Sequence, residues 1–197
     1  MGQISVLQYR DMIVTSAVAE ELLAEAYFRM KANGNLPIVY YDRVPSLVEF
    51  LNVHTGQNAE RIVLGCFREE TGKPLEFCGF GWSMNPMVVG DKRKADCGFC
   101  FFKGPRRVDT VAFGRMMLGC FFQVFSIDAL FGMTPEDNKL AVRYIKRVGM
   151  SLHGPVPEFA SWDGKPTGAW ISHISKEQFA ERDYLEGAKA TIIEEGQ

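Results

Sequence analysis

The sequence lacks the features that mark membrane-spanning, secreted and nucleic-acid-binding proteins. No apolar run approaches the ~18 residues that a membrane helix needs. Residues 1–10 lack the basic start and the apolar stretch of a signal peptide. The net charge is −2, so no excess of positive charge favours a nucleic-acid partner. We therefore expect a cytoplasmic protein with no membrane partner and no nucleic-acid partner.

Cysteine and histidine are also scarce, which limits the metal and redox sites that the chain can form. The five cysteines are an odd number, and without a secretory signal reduced thiols are the simpler interpretation. Cys97 and Cys100 form a C-x-x-C pair, but residues three apart in a strand point to opposite faces. The three histidines are scattered and supply no second ligand pair for zinc. We expect no metal site, and a thiol-redox function would rest on this cysteine pair alone.

What the sequence contains is typical of a globular α/β (α+β) protein. Its 197 residues are 47% apolar and 23% charged, which suits a single domain over residues 1–197. Hairpins on either side of a central helix and its flanking strands imply a mixed sheet covered by helices. Apolar spacing and turn signals predict helices at 15–32, 45–53, 110–122 and 135–148, strands at 61–67, 75–84, 96–102, 124–133, 151–159 and 167–174, and a polar helical tail at 175–190.

The segment 133–150 contains the most informative pattern in the chain. An apolar strand ends in an acidic residue followed by Asn138, and Ala141 stands three residues after it. Gly149 lies eleven residues after the asparagine, where it can take the left-handed conformation that ends a helix, and Met150 follows it. This segment resembles the strand-to-helix signature of the GNAT superfamily of N-acetyltransferases, with Met150 where phenylalanine is usual.

The resemblance implies a fold and an activity. It implies a GNAT-like mixed, mostly antiparallel sheet with a central parallel pair and helices on both faces. It also implies that the pantetheine arm of acetyl-coenzyme A lies where the parallel strands part, beside Asn138. The implied activity is acetyl transfer to a primary amine, on a small molecule or a protein, by direct attack in a ternary complex. Gly154 and the turn at Asp163 and Gly164 are similar to the subgroup that acetylates ribosomal-protein N-termini.

The loop before the central helix departs from the superfamily pattern. There, a glycine-rich loop holds the pyrophosphate of coenzyme A through backbone N–H groups and the helix N-terminus. Here the basic residues are present without the glycines, so the phosphate loop is degenerate and Lys103, Arg106 and Arg107 could bind phosphate through their side chains. The cofactor-binding residues that the resemblance implies are Phe101, Phe102, Lys103, Arg106, Arg107, Val108, Asp109, Thr110 and Asn138.

The catalytic positions are less sharply marked. Many members of the superfamily have a tyrosine seven residues after the asparagine, but this position is Ile145 here. Its neighbour Tyr144, about 100° away around the helix, is the candidate acid. No general base stands out among three carboxylates on predicted strands, each of which would equally suit a surface or paired role: Glu76, Asp96 and Asp128.

Two alternatives stay open on these residues. Asn138 could bind pantetheine or could simply cap its own helix, as asparagine often does. The whole domain could also be a non-catalytic GNAT-like protein with a binding or assembly role, similar to some phage-encoded virion proteins, with a virion protein or a second copy as its partner. In the enzyme interpretation, the helices at 15–32 and 45–53 would wall the acceptor site.

Overall fold

The computed structural model describes residues 3–55, 61–102, 108–182, 184 and 186–194. The strands are β1 (Gln3–Tyr9), β2 (Met12–Thr15), β3 (Ile62–Arg68), β4 (Glu76–Val89), β5 (Lys92–Phe101), β6 (Ala129–Pro135), β7 (Ser151–Trp162), β8 (Lys165–Ser175) and β9 (Lys189–Glu194). The helices are α1 (Glu20–Ala32), α2 (Leu36–Val39), α3 (Leu47–Thr55), α4 (Thr110–Gln123), α5 (Lys139–Val148) and α6 (Lys176–Ala180). None of these described helices is long and apolar enough to cross a membrane.

One nine-stranded sheet joins the described strands in the order β7-β8-β6-β5-β4-β3-β2-β1-β9. Within it, β5 and β6 run parallel, and the other neighbouring pairs run antiparallel. Two apolar clusters cover the sheet, one with α4 and α5 and the other with α1, α2 and α3. The predicted mixed, mostly antiparallel sheet with a central parallel pair and helices on both faces is therefore confirmed.

Side-chain alternation along β5 divides its residues between the two clusters. Cys97, Phe99 and Phe101 pack against the α4 and α5 cluster, whereas Cys100 and Phe102 are buried in the α1 to α3 cluster. The two cysteines thus point to opposite faces, as the strand pattern predicts. Burial raises the pKa of both the Cys97 and the Cys100 thiols to about 12, so neither is a reactive thiolate at neutral pH.

Several predicted boundaries were wrong where distant partners decide the structure. The predicted helix 15–32 begins only at Glu20, because Thr15 still pairs with β1 and β3 as the end of the short strand β2 and Ala19 is extended. The predicted helical tail 175–190 contains only the five-residue α6, after which the chain returns to pair with β1 as β9. The predicted helix 135–148 begins at Lys139, because Pro135 still pairs with β8 as the end of β6. The predicted strand 124–133 begins at Ala129.

Gly114 allows α4 and α5 to approach closely. A Cβ atom at this position would lie 2.1 Å from the Tyr144 hydroxyl oxygen and 2.9 Å from Val148 Cγ2. We predict that Gly114→Ala lowers the free energy of unfolding by about 1–3 kcal/mol, because the overlap outweighs alanine's better helix propensity. Chemical denaturation measures this loss. In a Tyr144→Phe background the loss should be smaller, and an equal loss would contradict the hydroxyl contact.

Candidate functional site

The parallel strands β5 and β6 separate after a short paired stretch. They pair at three positions, Lys94 with Ala129, Ala95 with Leu130, and Asp96 with Phe131. Beyond these positions β5 continues to pair with β4, and β6 continues to pair with β8. The two inner edges therefore diverge at the carboxyl ends of the parallel strands, which is where open α/β sheets bind ligands.

The gap between these strands is a cleft with a volume of about 690 Å³. Its walls come from β4, β5 and β6, from α5, from the β7–β8 hairpin, and from α2 with the turn that follows it. A cleft of this size, with apolar walls and a few polar groups, has the dimensions of a small-molecule site.

Backbone polar groups of β5 point into the cleft. Phe102 N–H donates to Cys78 O of β4 over 2.9 Å. Because N–H groups alternate between the two edges of a strand, the N–H of Phe99 points to the opposite edge, away from β4. Phe99 lies beyond the last position at which β5 pairs with β6 and lines the cleft. Its N–H group is thus available to an oxygen atom of a bound ligand.

A turn of residues 40–43, which we call the strap, spans the two sides of the cleft. It follows α2 on the β4 side, and the Tyr41 hydroxyl donates to Met133 O of β6 over 2.9 Å. The Asp42 carboxylate accepts from Gly164 N at 3.0 Å and from the Ser161 hydroxyl, both in the β7–β8 hairpin. Tyr41 and Asp42 hold φ angles of 52° and 66°, a conformation that residues other than glycine adopt rarely.

The hydroxyl of Tyr41 remains protonated under ordinary conditions. Its burial, with a smaller contribution from the negative charge of Asp96, raises the pKa of Tyr41 to about 12. The hydroxyl can therefore keep donating to the Met133 carbonyl. The hydrogen bond from Ser161 lowers the pKa of Asp42, which keeps its carboxylate charged as an acceptor.

The buried side chain of His54 is hydrogen-bonded to the strap. His54 Nε2 and the Tyr40 hydroxyl share a hydrogen bond of 2.8 Å. The imidazole is surrounded by the rings of Phe50, Phe80 and Trp82, with ring centroids 4.7 to 5.4 Å away. Burial lowers the pKa of His54 to about 4, so the ring is neutral at physiological pH. Its Nδ1 has no hydrogen-bond partner among the residues that the structure describes.

Asn138 caps its own helix, which is the second of the two alternatives for this residue. Its side-chain oxygen accepts from Ala141 N at 3.1 Å and caps α5, while the residue also lines the cleft. Gly149 ends the helix in the left-handed conformation with φ 112°, as the pattern predicts. Helix capping is therefore confirmed, and the contact of Asn138 with pantetheine stays a prediction.

The side chain of Tyr144 lines the cleft, whereas its hydroxyl is buried away from hydrogen-bond partners of the described chain. The ring contacts Phe99 and Phe101 edge-on, with centroid distances of 6.0 and 5.6 Å. Its hydroxyl is buried over Gly114 of α4 and has no hydrogen-bond partner within the described part of the chain. Burial raises the pKa of Tyr144 well above its ordinary value, so the hydroxyl is protonated.

The other predicted cofactor residues fall into three groups. Lys103, Arg106 and Arg107 lie outside the described residues. Phe101 stacks on Phe113 of α4, and Val108 is half-buried against the same cluster, whereas Phe102 is buried on the opposite face beneath Arg29. At the start of α4, which begins at Thr110, the Asp109 carboxylate accepts from Ala112 N at 3.0 Å and caps the helix. Their contacts with a cofactor stay predictions.

The structure separates the three carboxylates that the sequence left equivalent. Glu76 pairs with Arg68, and Asp128 accepts a hydrogen bond from Arg93 N at 2.7 Å. Asp96 is exposed and lines the cleft, where it accepts from Asn85 Nδ2 at 2.9 Å. Asp96 is therefore the one of the three that can meet a ligand.

Sequence reasoning missed the strap altogether. Tyr40 and Tyr41 sit in a turn without a motif, and the contact from Tyr41 to Met133 joins residues 92 positions apart. The predicted helices at 15–32 and 45–53 do not line the cleft themselves, and the strap between α2 and α3 does. No group of three or more histidine, cysteine or acidic side chains suited to a metal ion occurs among the described residues.

Comparison with solved structures decides the fold. The spermidine N-acetyltransferase of Vibrio cholerae, in complex with CoA and spermine, superposes with a TM-score of 0.68 at 13% identity, over 87% of this chain and 99% of that one. An acetyltransferase of the GNAT family from Bacillus anthracis superposes with a TM-score of 0.66 at 12% identity, over 87% and 99%. This chain has the GNAT fold. No family model and no curated protein matches the sequence.

The lowered pKa of His54 predicts a pH-dependent stability of this GNAT fold. Its ordinary pKa of 6.5 applies to the unfolded chain, and its folded value is about 4. The unfolded chain thus binds the proton more tightly, so the stability present above pH 6.5 is lost as the pH falls through the folded pKa, to a total of about 3 kcal/mol. Denaturant unfolding at a series of pH values measures this loss.

Replacement of the imidazole by a hydrocarbon ring tests the assignment of this loss to His54. His54→Phe keeps an aromatic ring in the cluster and should flatten the acid-side slope of the unfolding free energy. A wild-type slope in His54→Phe would show that another group titrates.

Proposed function

We propose that this protein is an N-acetyltransferase that moves an acetyl group from acetyl-coenzyme A to a primary amine. The observation that carries the proposal is the parting of β5 and β6 beyond Asp96 and Phe131, which opens a cleft in a GNAT fold. Two solved proteins with this fold are acetyltransferases, and one of them is in complex with CoA. Strands from both ends of the described chain join one sheet, which supports a single acyltransferase domain.

The described residues fit an acyl-coenzyme A donor in two places. Phe99 N–H points into the cleft and can donate to an acyl oxygen as negative charge develops on it. Tyr144 is the proposed proton donor to the sulfur, because its ring lines the cleft and its hydroxyl is protonated and without a described partner. The hydroxyl is packed against Gly114 and would have to turn toward the cleft to reach the sulfur. Bound acetyl-coenzyme A would supply an acetyl group activated as a thioester. Asn138 and the basic side chains of Lys103, Arg106 and Arg107 are the proposed contacts along the rest of the donor.

Asp96 is the proposed proton acceptor. Its carboxylate lines the cleft, whereas Glu76 and Asp128 are engaged elsewhere. Asp96 would hold the acceptor ammonium and take one proton from it, and the neutral amine would then attack the acyl carbon. The C–N bond forms as the C–S bond breaks, the nitrogen loses its remaining extra proton, and the sulfur gains one.

One observation favours a second candidate, a binding protein with a GNAT fold and no catalysis. The Asp109 carboxylate caps α4 and brings a negative charge to the helix N-terminus, where a phosphate group would otherwise be favoured. If the donor cannot bind beside this charge, the cleft would hold a different ligand. Donor binding therefore discriminates between the two candidates.

Calorimetric titration with acetyl-coenzyme A tests the proposal directly. We predict saturable binding to the wild-type protein, weakened by about tenfold or more in Arg106→Ala/Arg107→Ala, because charged phosphate contacts are lost. Arg143→Ala/Lys146→Ala, which removes two exposed basic side chains of α5, is the matched control and should bind as the wild type does. Absence of binding at millimolar ligand would reject the enzyme and leave the binding protein.

Replacement of the cleft carboxylate tests its role as a base. We predict that Asp96→Asn lowers kcat/KM for amine acetylation by about a hundredfold near neutral pH, the usual size of a general-base effect. The deficit should shrink as the pH rises, because a growing fraction of the amine is already neutral. Asp91→Asn, in the exposed turn between β4 and β5, is the control and should retain activity. A pH-independent deficit would argue for a purely structural role.

A further inference from the structure

We propose that the acceptor is a small monoamine with an apolar, preferably aromatic, body that lies beneath the strap. This inference rests on the proposed acyl transfer and names the substrate class of the same cleft. Four features of the described residues carry it: the charges in the cleft, the side chains that share a face with Asp96, the exposed apolar side chains at the rim, and the contacts that fix the strap.

The charges in the cleft suit one ammonium group. Among the described lining residues, the charged side chains are one carboxylate, Asp96, and one guanidinium, Arg43. A polyamine would bring two or more ammonium groups into this cleft. The first would meet Asp96, and the next would meet no further carboxylate of the described lining while Arg43 repels it. An ammonium that loses water without gaining a partner is strongly disfavoured.

The surroundings of Asp96 suit an apolar body. Asp96 lies directly opposite Met84 in the β4–β5 ladder. Trp82 comes two residues before Met84 in β4 and therefore points to the same face. The strap lies on the same face of the sheet, because Trp82 and Tyr40 of the strap both pack on the α1 to α3 cluster. An ammonium at Asp96 would thus place its substituent against an indole ring and a thioether, which favour aromatic partners.

Exposed apolar side chains at the rim of the cleft support the same conclusion. Ile38 of α2 is 39% exposed and Phe159 of β7 is 56% exposed, although both line the cleft. An apolar ligand between them would remove this surface from water and gain affinity from it. A hydrophilic polyamine chain would gain little there.

The strap favours a small molecule over a protein N-terminus. A peptide that bound beside Asp96 and continued beneath the strap would run into the β7–β8 hairpin. The hydrogen bonds from Ser161 and Gly164 to Asp42 occupy this route, and the bond from Tyr41 to Met133 ties the strap to β6. The acceptor side of the cleft is therefore bridged, so a substrate that ends within it fits better than a continuing chain.

An acceptor panel tests the inference. Phenethylamine, spermidine and a short peptide with a free N-terminus are each assayed with saturating acetyl-coenzyme A by release of free thiol and by product mass. We expect kcat/KM for phenethylamine to exceed that for the other two by about tenfold or more. A preference for spermidine or for the peptide overturns the inference and leaves the acetyltransferase proposal standing. Acetyl-coenzyme A binding without acetylation of phenethylamine also overturns it, and absence of donor binding rejects the proposed function itself.

Two variants give the panel a sharper readout. Met84→Glu places a second carboxylate opposite Asp96 and should raise the spermidine-to-phenethylamine ratio of kcat/KM by about tenfold, whereas Val88→Glu, at an exposed position of the same strand, should not. Asp42→Ala releases the strap from the hairpin and should raise the peptide-to-phenethylamine ratio by about fivefold or more. Asp11→Ala, in the exposed β1–β2 turn, is its control.

Retained acetyl-coenzyme A binding shows that each variant is folded. In such folded variants, unchanged ratios in both Met84→Glu and Asp42→Ala would overturn the assignment of charge and strap to acceptor choice.

Discussion

The divergence of the parallel strands β5 and β6 shapes the cleft and the contacts around it. Once β5 and β6 part beyond Asp96 and Phe131, each keeps one outer partner and leaves backbone polar groups facing the gap. Buried groups of this kind need hydrogen-bond partners. On the β6 side, the Tyr41 hydroxyl donates to the Met133 carbonyl. On the β5 side, Phe99 N–H faces the cleft, where it can donate to a ligand. Cleft, strap and candidate acyl site all follow from this geometry.

The alternation of side chains along β5 divides the chemistry of the cleft between two faces. Phe99 and Phe101 point to α4 and α5, where Tyr144 and Asn138 lie, and this is the side on which we place the acyl donor. Asp96 points to the opposite face, with the strap, and this is the side on which we place the amine. We therefore place the two substrates on opposite faces of β5, so that they meet at the edge of β5 that faces β6.

Burial sets the protonation states of three polar aromatic side chains around the cleft. His54 is neutral because aromatic rings surround it, and Tyr41 and Tyr144 stay protonated because they are buried. The site therefore offers neutral donors, with charge concentrated in Asp96 and Arg43. Such a balance suits the exchange of one proton between an amine and a carboxylate better than it suits the binding of several cations.

Features that depend on neighbouring residues could be predicted from the sequence alone. The Asp109 cap, the Asn138 cap and the left-handed Gly149 involve contacts within one helical turn, and the opposite faces of Cys97 and Cys100 follow from strand periodicity. The tertiary structure was needed to show which carboxylate enters the cleft, that residues 40–43 bridge it, and that β1 pairs with β9. These features join residues far apart in the chain, and no local spacing or propensity encodes such a contact.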